Sequence, residues 1–188
     1  MAKKIAVVGA GIAGITTAYY LAKAGYAVTV IEQEGYPAMR TSYANGGQVS
    51  VSNSEVWNTW SNVQKGAKWI FTKDAPLLVR LKPSWAKIKW LAQFLYYTAK
   101  GCYKENTIKS IELGLKSREL YKEIQYEENL KFDQGYYGIL HFYKNPKYWE
   151  AARQVKYLYN DHNVEWDLLS RGQISSNFHG LKDIKGML

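Results

Sequence analysis

The sequence is poor in the residues that build disulfides and metal centres. Cys102 is its only cysteine, which excludes an intrachain disulfide and any multi-cysteine metal site and fits a reducing compartment. The three histidines, His141, His162 and His179, do not cluster, and no His/Cys/carboxylate spacing suggests zinc, so no metal is expected. Cys102 stands between Gly101 and Tyr103 with no obvious partner for nucleophilic chemistry and reads as an ordinary packed residue. Proline is scarce as well, four in 188 residues, and 47% of the chain is hydrophobic against 22% charged, which calls for a packed core rather than disorder. The length suits one domain, or one domain and part of another. No stretch approaches the ~18 uninterrupted apolar residues that a membrane-crossing helix needs. Lys3 and Lys4 precede an apolar stretch as they would in a signal peptide, but glycines at 9, 11 and 14 interrupt it at a spacing that has another meaning.

Acidic residues are also in short supply: 16 Asp and Glu face 25 Lys and Arg, a formal net charge of +9. The excess is local. Between Lys65 and Lys104 lie nine basic residues and one acid, Asp74, a net +8. Five of the seven tryptophans (57, 60, 69, 85 and 90) overlap that stretch. Tryptophan and lysine together suit a membrane interface, where rings sit at headgroup depth and ammonium groups meet anionic lipid. Residues 57–104 are therefore a candidate peripheral membrane contact; the plainer reading is an aromatic core with a solvated basic face. Aromatics interleaved with basic residues also suit single-stranded nucleic acid, but no nucleic-acid motif accompanies them, and none is expected as a partner.

Secondary structure can be read from periodicity. Residues 4–9 form a short apolar run ending in glycine, a buried strand. A helix is expected from about 12 to 24, with Ile12, Ile15, Tyr19 and Ala22 on one face and Gly25 as a left-handed stop. Residues 27–32 are a second strand, rich in β-branched side chains. Strand, helix and strand within about 30 residues make a βαβ unit with parallel strands and a right-handed crossover. Residues 35–56 read as loop. Further helices are expected after Pro83-Ser84, from about 106 to 128 and over 147–160, with strands at 138–143 and 164–168 and a last helix capped by Ser170 and Gln173. Helix 106–128 carries two apolar stripes, one through Ile108, Ile111 and Leu115 and one through Leu113, Leu120 and Ile124.

The chemistry begins at Gly9-Ala10-Gly11-Ile12-Ala13-Gly14, a G-x-G-x-x-G run that follows Val8 at the end of the first strand and opens the first helix. Glu32 ends the second strand 18 residues after Gly14. In that context Gly9 permits the tight turn, Gly11 lets backbone approach a pyrophosphate, and Gly14 allows the helix to lie close on the sheet. The helix N-terminus offers N–H groups and partial positive charge to phosphates. Glu32 can accept hydrogen bonds from ribose hydroxyls and would repel a 2′-phosphate. These features specify an ADP-containing cofactor and leave FAD and NAD both open. Downstream, Asn45-Gly46-Gly47 can form a turn of exposed N–H groups, a second anion- or carbonyl-binding nest, or an ordinary surface turn.

The stretch from Thr41 to Trp57, Thr-Ser-Tyr-Ala-Asn-Gly-Gly-Gln-Val-Ser-Val-Ser-Asn-Ser-Glu-Val-Trp, closely resembles the signature of the D-amino acid dehydrogenase small-subunit family. That family lies within the flavin-dependent D-amino-acid oxidase/glycine oxidase superfamily. Lys68-Trp69, Asp74 to Leu78, Pro83-Ser84-Trp85, Phe132-Asp133 and Gly138 to His141 extend the resemblance over essentially the whole chain. It implies FAD as cofactor, with Val8 to Gly14, Glu32 and Gln33 around its ADP half and Ser42, Asn45, Gly46 and Gly47 near the pyrophosphate and flavin ring. It implies an α/β fold: a Rossmann-like FAD-binding βαβ unit with an α+β substrate-domain segment, incomplete. The expected domains are 1–56, the N-terminal part of the FAD-binding domain, and 57–188, a basic Trp-rich segment with a partial substrate or cap domain.

The activity implied is oxidation of a D-amino acid, D-alanine in the first place, to a 2-oxo acid and ammonia, with electrons passing to a respiratory-chain acceptor. The location implied is cytoplasmic, on the cytoplasmic face of the inner membrane. Family members resemble chains about twice this length, and nothing here matches their later half. The expectation is an N-terminal portion, inactive alone, that works with a chain carrying the C-terminal half. A glycine/sarcosine-type oxidase and a non-catalytic FAD-binding remnant or split-enzyme module remain as alternatives. No residue stands out as catalytic; His141, inside an expected strand, reads more readily as a packed histidine than as a base.

Overall fold

The computed structural model describes residues 2–72, 84–136, 138–143, 145–169 and 171–177. The chain divides into two compact units, Met1–Gln48 and Val49–Leu188.

The first unit is the βαβ motif. Strand β1 (Lys4–Val8) pairs in parallel with β2 (Ala27–Ile31), Lys4 beside Ala27 and Val8 beside Ile31, and helix α1 (Ile12–Lys23) makes the crossover. The helix ends where Gly25 takes φ +86°: its N–H donates to the Ala22 carbonyl, and the Tyr26 N–H donates to Leu21. This is the left-handed stop that only glycine adopts freely. Val7 faces α1, and side chains alternate across a strand, so Ile5 and the facing Val28 share that covered side. The opposite side carries Ala6, Val8, Thr29 and Ile31 and is open, with Val8 83% and Ile31 53% exposed.

The face of α1 that meets the sheet differs from the one expected. Ile12, Ile15 and Ala22 are exposed, whereas Ala18 is buried and Gly14 and Leu21 are half-buried. Gly14, Ala18 and Leu21 fall at i, i+4 and i+7, so the stripe is helical but begins with small residues. A close helix-to-sheet approach selects the smallest side chains over the most apolar ones.

The second unit is helical among the described residues. A 3-10 turn (Val51–Asn53) is followed by α2 (Trp60–Trp69), α3 (Trp85–Ala99), α4 (Tyr103–Glu127), α5 (Pro146–Asn160) and α6 (Arg171–Asn177). Side-chain caps open three of them: Thr59 accepts from the Asn62 N–H, Ser84 from Lys87 and Asn145 from Lys147. The core gathers Val51, Ile111, Leu158, Tyr159 and Val164, with Ile108, Leu115, Val155 and Trp166 packed around them. The Ile108, Ile111 and Leu115 stripe of α4 is thus its core face, while Leu113 of the other stripe is exposed.

Three expectations need correction. The strands expected at 138–143 and 164–168 do not form, so the α+β character expected of this unit is not seen among the described residues. A strand needs a neighbour for its N–H and C=O groups, and neither segment has one there. Gly138 instead turns the chain at φ +76°. The Val164 N–H closes back on the Tyr159 carbonyl, and Val164 and Trp166 insert beside Tyr159, whose ring centroid is 4.7 Å from that of Trp166. Alternation was present in the sequence, but it serves to bury two side chains rather than to pair a strand. The third correction is α2, which falls in a stretch read as aromatic and basic without a helix assigned; its Thr59 cap was the available signal. Ser170, half of the expected capping box, lies outside the described residues, as does His179.

The break between units falls after Gln48 because Val51 is buried against α4, which binds the segment from 49 onward to the helices.

Candidate functional site

The glycine loop runs from the end of β1 into α1. Gly9 takes φ +96°, and its N–H donates to the Ile31 carbonyl (2.7 Å), so the turn is tied to the end of β2. A Cβ on Gly14 would lie 1.9 Å from the Gly9 carbonyl oxygen, a distance no side chain can take. Gly9 and Gly14 therefore lock one turn together, one by backbone conformation and the other by contact. A Cβ on Gly11 would come 3.2 Å from the Ser42 Oγ.

Glu32 organises the loop from the other side. Its Oε2 accepts from the Ala10 N–H (2.5 Å), and its Oε1 accepts from the Gln33 (2.8 Å) and Glu34 (3.0 Å) N–H groups. The bond to Ala10, a residue only 2% exposed, is the largest influence holding the carboxyl below its usual range; the bonds to Glu34 and Gln33 and the charge of Arg40 act in the same direction against partial burial. Arg40 itself is held by Glu34, its Nε 2.7 Å from Oε1.

Ser42 reaches the site from 30 residues away: its Oγ accepts from the Ile12 N–H (2.9 Å), the first residue of α1. Gly11, the N-cap residue, makes no side-chain bond of its own, so Ser42 supplies the cap from outside the helix. No hydrogen bond engages the Gly11, Ala13 and Gly14 N–H groups among the described residues. They leave unpaired donors at the positive end of the helix dipole. The Ala38 N–H returns to the Ala10 carbonyl (3.0 Å), closing the following loop onto the turn.

The loop after Ser42 is built by Asn45. Its Nδ2 donates to the Thr41 and Ser42 carbonyls, and its Oδ1 accepts from the Gly47 N–H (2.7 Å), with Gly47 at φ +60°. The expected nest of free N–H groups is thus partly self-satisfied: Gly47 is engaged by Asn45, while Gly46 is exposed.

The structure brings together Val8, Gly9, Ala10, Gly11, Ile12, Ala13 and Gly14 with Glu32, Gln33 and Ser42, and it places Asn45, Gly46 and Gly47 on the loop that follows Ser42. Two relations were not read from the sequence. One is the Arg40–Glu34 pair flanking Glu32, although Arg40 begins the glycine- and asparagine-rich stretch. The other is the capping of α1 by Ser42. The donor set fits an ADP-containing cofactor: unpaired amides at a helix N-terminus for a pyrophosphate, a carboxylate at the end of β2 for ribose hydroxyls, and a glycine surface that a Cβ would obstruct. His141 belongs to the second unit, half-buried in an irregular segment rather than a strand. Cys102 is a free, half-buried thiol. Among the described residues no group of three or more His, Cys, Asp or Glu gathers to hold a metal.

Comparison with known proteins gives the site a setting. Residues 4–188 match the family model described as DAO, FAD dependent oxidoreductase. The chain is 44% identical over 179 residues to "D-amino acid dehydrogenase 3" of Mesorhizobium japonicum, covering 95% of this chain and 42% of that protein. It is 36% identical over 169 residues to "D-amino acid dehydrogenase" of Allorhizobium ampelinum, covering 89% of this chain and 40% of that one. The chain therefore spans about two fifths of the length of the curated relatives it matches. No solved structure matches.

Proposed function

This chain belongs to the FAD-dependent oxidoreductase family, and we propose on that premise that it forms the ADP-binding part of a D-amino acid dehydrogenase. The observation that carries the reading is the cradle made by Gly9 to Gly14 and Glu32 within a chain 44% identical to a protein of that name. FAD, the family's cofactor, supplies the two-electron acceptor for amine oxidation. The chain's own residues bind and orient it. The Gly11, Ala13 and Gly14 amides receive the pyrophosphate, Glu32 and Gln33 border the adenosine ribose, and Ser42 with Asn45, Gly46 and Gly47 borders the route toward the flavin ring. The substrate proposed is a D-amino acid, D-alanine first, giving a 2-oxo acid and ammonia, with electrons leaving to a respiratory-chain acceptor. A chain corresponding to the remaining three fifths of the relatives is the proposed partner in that activity.

The test is to purify the chain alone and together with a chain matching that remainder, then measure bound flavin and dye reduction with D-alanine and L-alanine. Bound FAD and reduction specific to the D-enantiomer in the paired sample are expected. Absence of flavin in both samples overturns the reading. Oxygen consumption with glycine or sarcosine in place of dye reduction would support an oxidase instead.

We further propose a peripheral membrane contact within residues 57–104, on the cytoplasmic face. Helix α3 supports it. Trp85, Ile88, Leu91, Ala92, Leu95 and Tyr96 share one side of that helix, with Lys89 and Lys100 at its border. This side is uncovered: Trp85 is 81% and Tyr96 59% exposed, and Thr98 is the only buried residue of α3. An apolar side bordered by aromatic rings and ammonium groups suits a helix lying in the headgroup layer. No helix among the described residues is long and apolar enough to cross a membrane. In sedimentation with phosphatidylglycerol vesicles, the protein is expected to bind at low salt and to lose most binding at high salt. The double change Leu91→Asp and Leu95→Asp is expected to weaken binding more than tenfold. Equal recovery with and without vesicles removes this contact from the proposal.

A further inference from the structure

The second unit holds a pocket that the flavin reading does not use. It has a volume of about 340 Å³ and is lined by Glu55, Phe142, Tyr143, Tyr148, Ala151 and Ala152. Its one charged wall is Glu55, two residues after the 3-10 turn. The Tyr103 hydroxyl donates to the Glu55 Oε2 (2.6 Å), which fixes the carboxylate from the α4 side. No cation pairs with that carboxylate among the described residues. Aromatic rings supply most of the remaining wall. Phe142 and Tyr148 are exposed at the rim, Tyr143 is half-buried, and two alanines of α5 line the pocket between them.

The phenols around Glu55 stay neutral. Burial first, and the hydrogen bond to Glu55 second, push the Tyr103 hydroxyl far above its usual range. Burial and then the Glu55 charge raise Tyr143, and the same two causes in the same order push Tyr159 up to about 12. The Glu55 carboxylate therefore stands among neutral phenols. Ring faces attract cations through their quadrupole, most strongly where water is partly excluded. The Tyr148 ring already shows this: the Lys65 ammonium lies 5.9 Å from its centroid. A divalent metal would need more oxygen ligands than one carboxylate, and the carbon surface of Ala151, Ala152 and Phe142 suits an alkyl body.

We propose that this pocket binds a primary alkylammonium ion, its charged head on Glu55 and its carbon chain between Phe142, Tyr148 and the two alanines. The inference is independent of the flavin site, so its failure leaves the oxidoreductase reading intact. The test uses the full chain and ligand-observed NMR titrations with n-pentylammonium chloride and, as a neutral shape control, 1-pentanol. The ammonium is expected to bind at least tenfold more tightly than the alcohol. Glu55→Gln keeps a carbonyl acceptor for Tyr103 but removes the charge, and it should weaken ammonium binding at least tenfold. Ala151→Leu leaves Glu55 and its bond to Tyr103 in place and fills the pocket, so it should abolish binding even if the first variant folds poorly. Equal binding of ammonium and alcohol, or wild-type affinity in a folded Glu55→Gln or Ala151→Leu variant, overturns the proposal.

Discussion

Gly14→Ala is expected to remove FAD binding and to destabilise the first unit by about 1–3 kcal/mol, the usual cost of forcing extra volume into a packed contact. The reason is local and severe. The added methyl would stand 1.9 Å from the Gly9 carbonyl oxygen, and the neighbour it meets is backbone, not a side chain that can swing away. Relief requires α1 to lift from β1 or the Gly9 turn to open. Either movement displaces the Gly11, Ala13 and Gly14 amides that the pyrophosphate needs. Gly35→Ala is the matched control: nothing lies within 4 Å of a Cβ there, and its φ is not positive, so a change close to zero is expected. Thermal unfolding and quenching of flavin fluorescence on titration with FAD measure the two effects separately. Normal FAD affinity in Gly14→Ala would show that the helix does not present its N-terminus to the cofactor.

Glu32→Ala is expected to have the second largest effect, a more than tenfold loss of FAD affinity together with a looser glycine loop. One carboxylate there holds three backbone N–H groups, those of Ala10, Gln33 and Glu34. Its removal leaves the buried Ala10 amide without an acceptor, and an unpaired buried donor costs more than the lost bond itself. Glu32→Gln should fall between the two, because one amide oxygen can serve one side of the loop while its NH₂ group opposes the other N–H donors. The direction of the pH effect follows from the carboxyl being held below its ordinary 4.5 in the folded chain. A depressed group contributes stability that is complete above the unfolded value and is lost as pH falls through the folded one. The wild type should therefore lose stability on acidification below about 4.5 more steeply than Glu32→Gln. Parallel acid titrations of the two proteins, followed by far-UV circular dichroism, check this; superimposable curves would exclude Glu32 as the source.

The βαβ motif was readable because its signals are local. The apolar run into Gly9, the stop at Gly25 and the β-branched run before Glu32 each act within a few residues, and Ser84 announced α3 in the same way. The glycine spacing likewise pointed to the cofactor loop. The identity of that cofactor was not local information: Gly9 to Gly14 and Glu32 suit any ADP moiety, and only the Thr41–Trp57 stretch and the family match distinguish FAD.

Tertiary structure decided the rest, because each remaining feature depends on what lies opposite it. The sequence aligned Ile12, Ile15, Tyr19 and Ala22 on one face of α1, but Ile12, Ile15 and Ala22 are exposed, and the close approach to the sheet buries Ala18 and half-buries Gly14 and Leu21. Alternation at 164–168 looked like a strand, yet Val164 and Trp166 found Tyr159 rather than a pairing edge. Glu55 lies within the Thr41–Trp57 stretch, but nothing in that stretch marked it as the charged wall of a pocket; α4 and α5 made it one by bringing Tyr103 and Tyr148 to it. For the glycine loop, the sequence determined which residues make the turn between β1 and α1. Only the fold showed that Ser42, 30 residues away, caps the helix they open. Hydrogen bonds and contacts across such distances leave no periodic trace in a chain.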